Sequence, residues 1–206
     1  MRLSGETYRP VTQYRFEAEG TGRGADGKVS HVHMKISFKS PDKYRIEGAM
    51  PGMMQDIPVG DEVPMVDDGA AVWFYFPGAN RYWSIPASAL TTDRGDSRDL
   101  MPESVDGFIL GRFRHAADFA SGSRFLREET IDAGGSKVDC YVLSVPDKSY
   151  PSDSTWWIDS KRFLVLRLDN AQESSVMTNV RLGDPIPDNL FRFQPPPGAA
   201  NIMPER

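Results

Sequence analysis

A mainly β fold is what this sequence predicts: one curved antiparallel sheet with a helical insert over one of its faces. Three observations carry that expectation. In Val32-His33-Met34-Lys35-Ile36-Ser37-Phe38 the apolar residues fall at every second position, the period of a strand with one wet face. Similar stretches recur in both halves of the chain at hairpin-length gaps, so neighbours are expected to pair antiparallel. Between them, residues 86–120 lose the alternation and carry small, acidic and apolar residues at approximate helical spacing.

In chain order, the first strand is expected over 11–19, followed by a flexible turn, Gly20-Thr21-Gly22-Arg23-Gly24-Ala25-Asp26-Gly27. Strands at 43–47, 71–76 and 81–85 come next. Ser40-Pro41-Asp42, Asp68-Gly69 and Pro77-Gly78 punctuate them as turns. Val105, Phe108, Ile109, Arg112 and Phe113 mark short helices, and helix is expected largely within about 86–120. Strands resume at 125–131, 138–145, 155–159, 163–168, 175–181 and 190–193. No linker or internal repeat divides residues 1–206, which predicts one domain. Val72-Trp73-Phe74-Tyr75-Phe76 has no polar position, so that strand must be covered on both sides.

Composition narrows the function classes. At 39% hydrophobic and 26% charged residues the chain is an ordinary globular one. Its 11 Phe, 7 Tyr and 4 Trp favour strands and line apolar pockets. A net charge of −5 without any Lys/Arg block lacks the footprint of a nucleic-acid binder. Cys140 stands alone, so no intramolecular disulfide forms. Met1-Arg2-Leu3-Ser4-Gly5 lacks the apolar run of an export signal, and no stretch approaches a transmembrane span.

Gly22-x-Gly24-x-x-Gly27 matches the dinucleotide fingerprint formally, but that motif needs a helix N-terminus after it, and a period-two segment follows here. His31 and His33 share the polar face of a strand, where a metal would need further ligands. No nucleophile elbow, phosphate loop or paired carboxylates appear, and Cys140 sits in a strand run as a buried thiol. The expectation is a non-enzymatic protein without metal or cofactor. Met50, Met53 and Met54 around Pro51-Gly52 suit either core filling or an adaptable flap at a cavity mouth.

Four segments, in order, carry a family resemblance. They are Lys35-Ile36-Ser37-Phe38-Lys39-Ser40-Pro41-Asp42-Lys43-Tyr44-Arg45-Ile46-Glu47, then Val66-Asp67-Asp68-Gly69-Ala70-Ala71-Val72-Trp73-Phe74-Tyr75-Phe76-Pro77, then Trp156-Trp157-Ile158-Asp159 followed by Phe163–Arg167, and last Asn189-Leu190-Phe191-Arg192-Phe193-Gln194-Pro195-Pro196-Pro197-Gly198-Ala199. Together they resemble the LolA/LolB family of periplasmic lipoprotein carriers. The resemblance implies an unclosed antiparallel β-barrel with helices as a lid. It also implies an apolar interior that holds lipid or lipoprotein acyl chains non-covalently, with envelope transport proteins as partners and a periplasmic location once an export signal is removed. The expected cavity wall is Phe38, Tyr44, Ile46, Val72, Phe74 and Phe76 from the sheet, with Ile109, Leu110 and Phe113 from the lid. Two departures stand out. The family's arginine before the turn proline is Ser40 here, and only ten residues precede the first strand where the family has a helix. The alternative function is a sensor or protein-interaction domain of the same fold in the cell envelope.

Overall fold

The computed structural model describes residues 1–23, 27–40, 43–48, 64–86, 113, 116, 121–146, 152–171 and 173–202. A short helix, α1 (Arg2–Tyr8), leads into twelve strands: β1 (Gln13–Arg23), β2 (Val29–Lys39), β3 (Lys43–Gly48), β4 (Met65–Asp67), β5 (Ala71–Phe76), β6 (Arg81–Pro86), β7 (Arg124–Asp132), β8 (Lys137–Val145), β9 (Ser154–Asp159), β10 (Val165–Asp169), β11 (Glu173–Leu182) and β12 (Ala200–Asn201). All twelve belong to one curved sheet that does not close into a barrel. Its order is β12-β6-β5-β4-β3-β2-β1-β11-β10-β9-β8-β7. From β6 to β7 in that order every neighbouring pair is antiparallel, and β12 joins β6 in parallel.

Alternation decides which face is buried. In β1 Tyr14, Phe16 and Ala18 are buried, while Gln13, Arg15 and Glu17 between them are not. In β3 and β5 the same pattern holds with Tyr44 and Ile46, then with Val72, Phe74 and Phe76. Those residues form a continuous core on the inner face of the sheet. Helix α1 packs there too. Seven residues including Gly5 are too few to hold a helix by propensity alone. Tyr8 fixes it: its ring is 2% exposed, and its hydroxyl accepts the Val165 amide at 3.0 Å.

Helix α1 forms outside the expected 86–120 insert, at the N-terminal end of the chain; most of that insert lies outside the described residues. Two expectations need correction. The expected turn at 20–27 begins later, since Gly20, Thr21, Gly22 and Arg23 continue β1 and pair with β2, the first three of them also with β11. A Cβ at Gly20 would fall 1.9 Å from the Ser174 carbonyl oxygen, so the absent side chain is what allows the two strands to approach. The strand expected at 190–193 is instead a 3-10 turn, Asp188–Phe191, followed by extended chain.

Candidate functional site

Strand register assembles the inner face into rows. Residues directly opposite one another on paired strands share a face and lie within side-chain contact. One row runs Tyr14, Phe38, Tyr44, Asp67, Val72 and Ile85 across β1 to β6. The next runs Phe16, Ile36, Ile46, Met65, Phe74 and Trp83. Five of the expected wall residues, Phe38, Tyr44, Val72, Ile46 and Phe74, are thus neighbours in two adjoining rows. Phe76 extends the same face of β5. Rings stack within it: Tyr14 on Phe38 at 5.1 Å and Phe74 on Trp83 at 5.2 Å.

From the expected lid, Phe113 is placed over this face. Its centroid lies 5.2 Å from Tyr8 and 5.6 Å from Trp156, edge-on to the latter. Ile109 and Leu110, and the flap residues Met50, Met53 and Met54, lie outside the described residues. Sequence reasoning missed Tyr14, Phe16, Ile36, Met65, Trp83 and Ile85, although alternation within their own strands marks all but Met65. It also missed Asp67, the one acid in the two rows. Asp67 Oδ1 accepts the Gly69 amide at 2.8 Å. Burial pushes the neighbouring Tyr44 phenol well above its ordinary range, and the Asp67 charge adds to that push.

The outer face is built differently. Trp73 and Tyr75 of β5 point outward and are covered by Phe193, with centroids 5.5 and 5.9 Å away. Ala200–Asn201 then pairs with β6, so the end of the chain straps the outer side of β5 and β6. The strand without a polar position is therefore covered on both sides by the chain itself. Asp68 closes the preceding turn: Oδ1 accepts the Ala70 and Ala71 amides, and Oδ2 accepts the Trp73 indole at 3.2 Å. Lys39, beside the departing Ser40, donates to Asp188 at 2.6 Å and to the Ile186 carbonyl, anchoring the strap.

The remaining motifs resolve into structure. A period-two strand, β2, follows the glycine run, where a nucleotide fold would place a helix. His33 is exposed on the outer face, its Nδ1 3.3 Å from Glu19 Oε1. Among the described residues no three His, Cys, Asp or Glu side chains are placed to hold a metal ion. Cys140 is buried, and burial followed by Asp159, Asp139 and Glu129 pushes its thiol up to about 11. Among the described residues no helix is long and apolar enough to cross a membrane.

Solved structures share this architecture. LprF from Mycobacterium bovis is 12% identical over 90% of this chain and 92% of its own, with a TM-score of 0.53. An uncharacterised conserved protein from Thermus thermophilus is 11% identical over 97% and 95%, with a TM-score of 0.50. The chain has a LolA-like fold. A LolA superfamily protein from Nitrosomonas europaea, 16% identical over 94% of this chain and 96% of its own, superposes more loosely at a TM-score of 0.37. No family model matches the sequence. An uncharacterised protein of Methanocaldococcus jannaschii is 24% identical over 177 residues, and this LolA-like chain spans 44% of its length.

Proposed function

We propose that the chain acts as one non-enzymatic unit that binds lipid or lipoprotein acyl chains against the inner face of its sheet, as a carrier in the cell envelope. The observation that supports this most is the pair of rows across β1 to β6, Tyr14 to Ile85 and Phe16 to Trp83, hydrophobic at every position but Asp67. An outer strap already covers the other side of β5 and β6, so the aromatic inner face is not needed to hide that side from water. Transfer of one CH₂ group from water contributes about 0.8 kcal/mol, so a long acyl chain brings several kcal/mol before ordering costs. In this reading Phe38, Tyr44, Ile46, Val72, Phe74 and Phe76 form the wall, and Ile109, Leu110 and Phe113 the lid. Met50, Met53 and Met54 form the flap. A periplasmic site of action with envelope transport proteins as partners belongs to the same proposal.

The test places a charge in the wall. Phe74→Glu puts a carboxylate opposite Met65 and Trp83, where an unpaired buried charge is unfavourable by several kcal/mol or is neutralised by protonation. Binding of a fluorescent fatty acid should weaken at least tenfold (about 1.4 kcal/mol), while His33→Ala on the outer face leaves it unchanged. Circular dichroism establishes that each variant is folded. A folded Phe74→Glu protein that binds as wild type does would remove the inner face as the site. Native mass spectrometry of protein purified without detergent should show co-purified lipid.

A second reading, a sensor or protein-interaction domain, is favoured by how fully the described wall residues are buried, none of the six more than 6% exposed. It predicts no uptake of the probe by delipidated wild-type protein.

A further inference from the structure

The outer face of the sheet carries a row of guanidinium groups that no stretch of sequence reveals. Arg15 of β1 lies directly opposite Arg181 of β11 on one side and Ser37 of β2 on the other, and Ser37 lies opposite Arg45 of β3. Like charges directly opposite on neighbouring strands are unfavourable, so the Arg15–Arg181 pairing calls for an anion between them.

The described strands show what the chain does elsewhere. Four of them carry Arg-x-Glu or Arg-x-Asp, a spacing that puts both groups on one face. Arg45 closes on Glu47, Arg127 on Glu129 and Arg167 on Asp169, each by charged hydrogen bonds. Arg15 and Glu17 have the same spacing and make no such bond. The register of β11 slips between them, where Asn179 takes a left-handed φ of 53° and leaves an extra residue opposite Phe16. Arg15 Nε is buried and has no hydrogen-bond partner among the described residues. Arg181 is held only at 3.5 Å by Asp184, with its side chain 64% exposed.

A buried guanidinium N–H without an acceptor is unfavourable, and its planar fork fits the oxygens of a phosphate. We propose that Arg15, Arg181 and the Ser37 hydroxyl form a phosphate-binding site on the outer face, separate from the inner apolar face. The phosphate is either a free ion or the headgroup of an anionic lipid. Arg45, committed to Glu47 and to the Leu190 carbonyl, borders the site without completing it.

Two probes distinguish the sources. Inorganic phosphate is titrated against chloride at matched ionic strength, which removes general screening, with melting temperature and calorimetry as readouts. Separately, the protein is sedimented with vesicles of phosphatidylglycerol and phosphatidylcholine, and with phosphatidylcholine alone. A free-phosphate site gives a phosphate-specific rise in melting temperature, and Arg15→Gln weakens phosphate binding at least about tenfold. A headgroup site gives sedimentation with the phosphatidylglycerol vesicles only, lost in Arg15→Gln. Arg181→Gln, an exposed change that the fold tolerates, should weaken the same signal and carries the test should Arg15→Gln not fold. Arg124→Gln on the distant edge strand should change neither. The proposal is overturned if wild-type protein responds to neither probe, or if its response survives Arg15→Gln and Arg181→Gln at the level of Arg124→Gln. Fatty-acid binding at the inner face is measured independently, so failure of one site does not imply failure of the other.

Discussion

Two tryptophans point away from the inner face, Trp73 on β5 and Trp157 on β9, and the chain covers them with opposite chemistry. Trp73 lies under an aromatic strap: Phe193 stacks on it at 5.5 Å, and its indole is tied to Asp68. Trp157 lies under cations. The Arg167 guanidinium sits 4.5 Å from its ring centre and that of Arg127 sits 5.9 Å away, each held by an acid two residues on. An open sheet whose strands carry large aromatics must shield both faces, and one face is reserved for the core. Near β5 the tail of the chain does the shielding. Near β9 long side chains fold down over the ring with their charges in water. The first device depends on hydrophobic burial, the second on electrostatics, so they should fail under different conditions.

The largest expected effect comes from removing the strap's ring. Phe193→Ala should lower stability by about 2–3 kcal/mol, somewhat below a fully buried Phe→Ala change, seen as an earlier urea midpoint with tryptophan emission shifted toward water. A loss under ~0.5 kcal/mol would mean the strap contributes little to covering Trp73. High salt should not reduce the effect.

Next is Asp159, which closes the turn after Trp157. Its side chain is 3% exposed. Burial alone would raise its carboxyl pKa. The Arg162 amide, the Arg162 guanidinium at 2.6 Å and the Lys161 amide outweigh that and hold it below the ordinary carboxylate range. A carboxyl lowered in the folded state stabilises above its unfolded pKa of about 3.9, and that contribution is lost as pH falls through the folded value. Asp159→Asn should therefore cost about 2 kcal/mol at pH 7, with the gap to wild type narrowing below about pH 4. A gap independent of pH would show that the charge is not what matters.

Smaller effects separate the two arginines. Arg167→Met keeps an apolar stem over Trp157 but removes the cation, and should lower stability by about 1 kcal/mol. Arg127→Met, starting farther from the ring and more exposed, should lower it by about 0.5 kcal/mol. Both differences should shrink in 1 M NaCl, unlike that of Phe193→Ala. Equal losses from the two arginines, unaffected by salt, would reduce the comparison to packing.

Much of this architecture was legible from period-two patterning. The strand expected at 71–76 matches β5 residue for residue, and those at 43–47, 81–85 and 138–145 differ from the observed strands by a residue at one end. The failures have physical causes. Three residues, Met65–Asp67, are too few to display a period. Gly20 and Thr21 look like turn formers, yet they extend a ladder because β11 passes too close for a side chain. The alternating Phe191-Arg192-Phe193 looks like a strand, but prolines at 187 and 195–197 bound it, and it folds into the outer layer. The site was half legible. Alternation identifies which residues of each strand are inward, whereas the rows that join them depend on register, which one sequence does not display. Asp67 was hidden for a related reason: Asp67-Asp68-Gly69 reads as a turn, and only pairing with Tyr44 and Val72 shows that the first aspartate belongs to the wall.

Pairing of β1 with β11 has a consequence for how the molecule is made. Strands β1 to β6 follow one another in both chain and sheet, as do β7 to β11, so each meander pairs through neighbours as it is synthesised. The two meet along a single seam whose partners, Tyr14 and Leu182 for instance, are separated by most of the chain. Closing so long a loop is the slow part of folding for a sheet of this kind. Until Glu173–Leu182 emerges from the ribosome, the outer edge of β1, with its unsatisfied amides, is an open invitation to intermolecular pairing. Glycines at positions 20 and 22 of that edge, poor in side-chain attraction, make it a weak template for strangers while leaving room for the strand that belongs there.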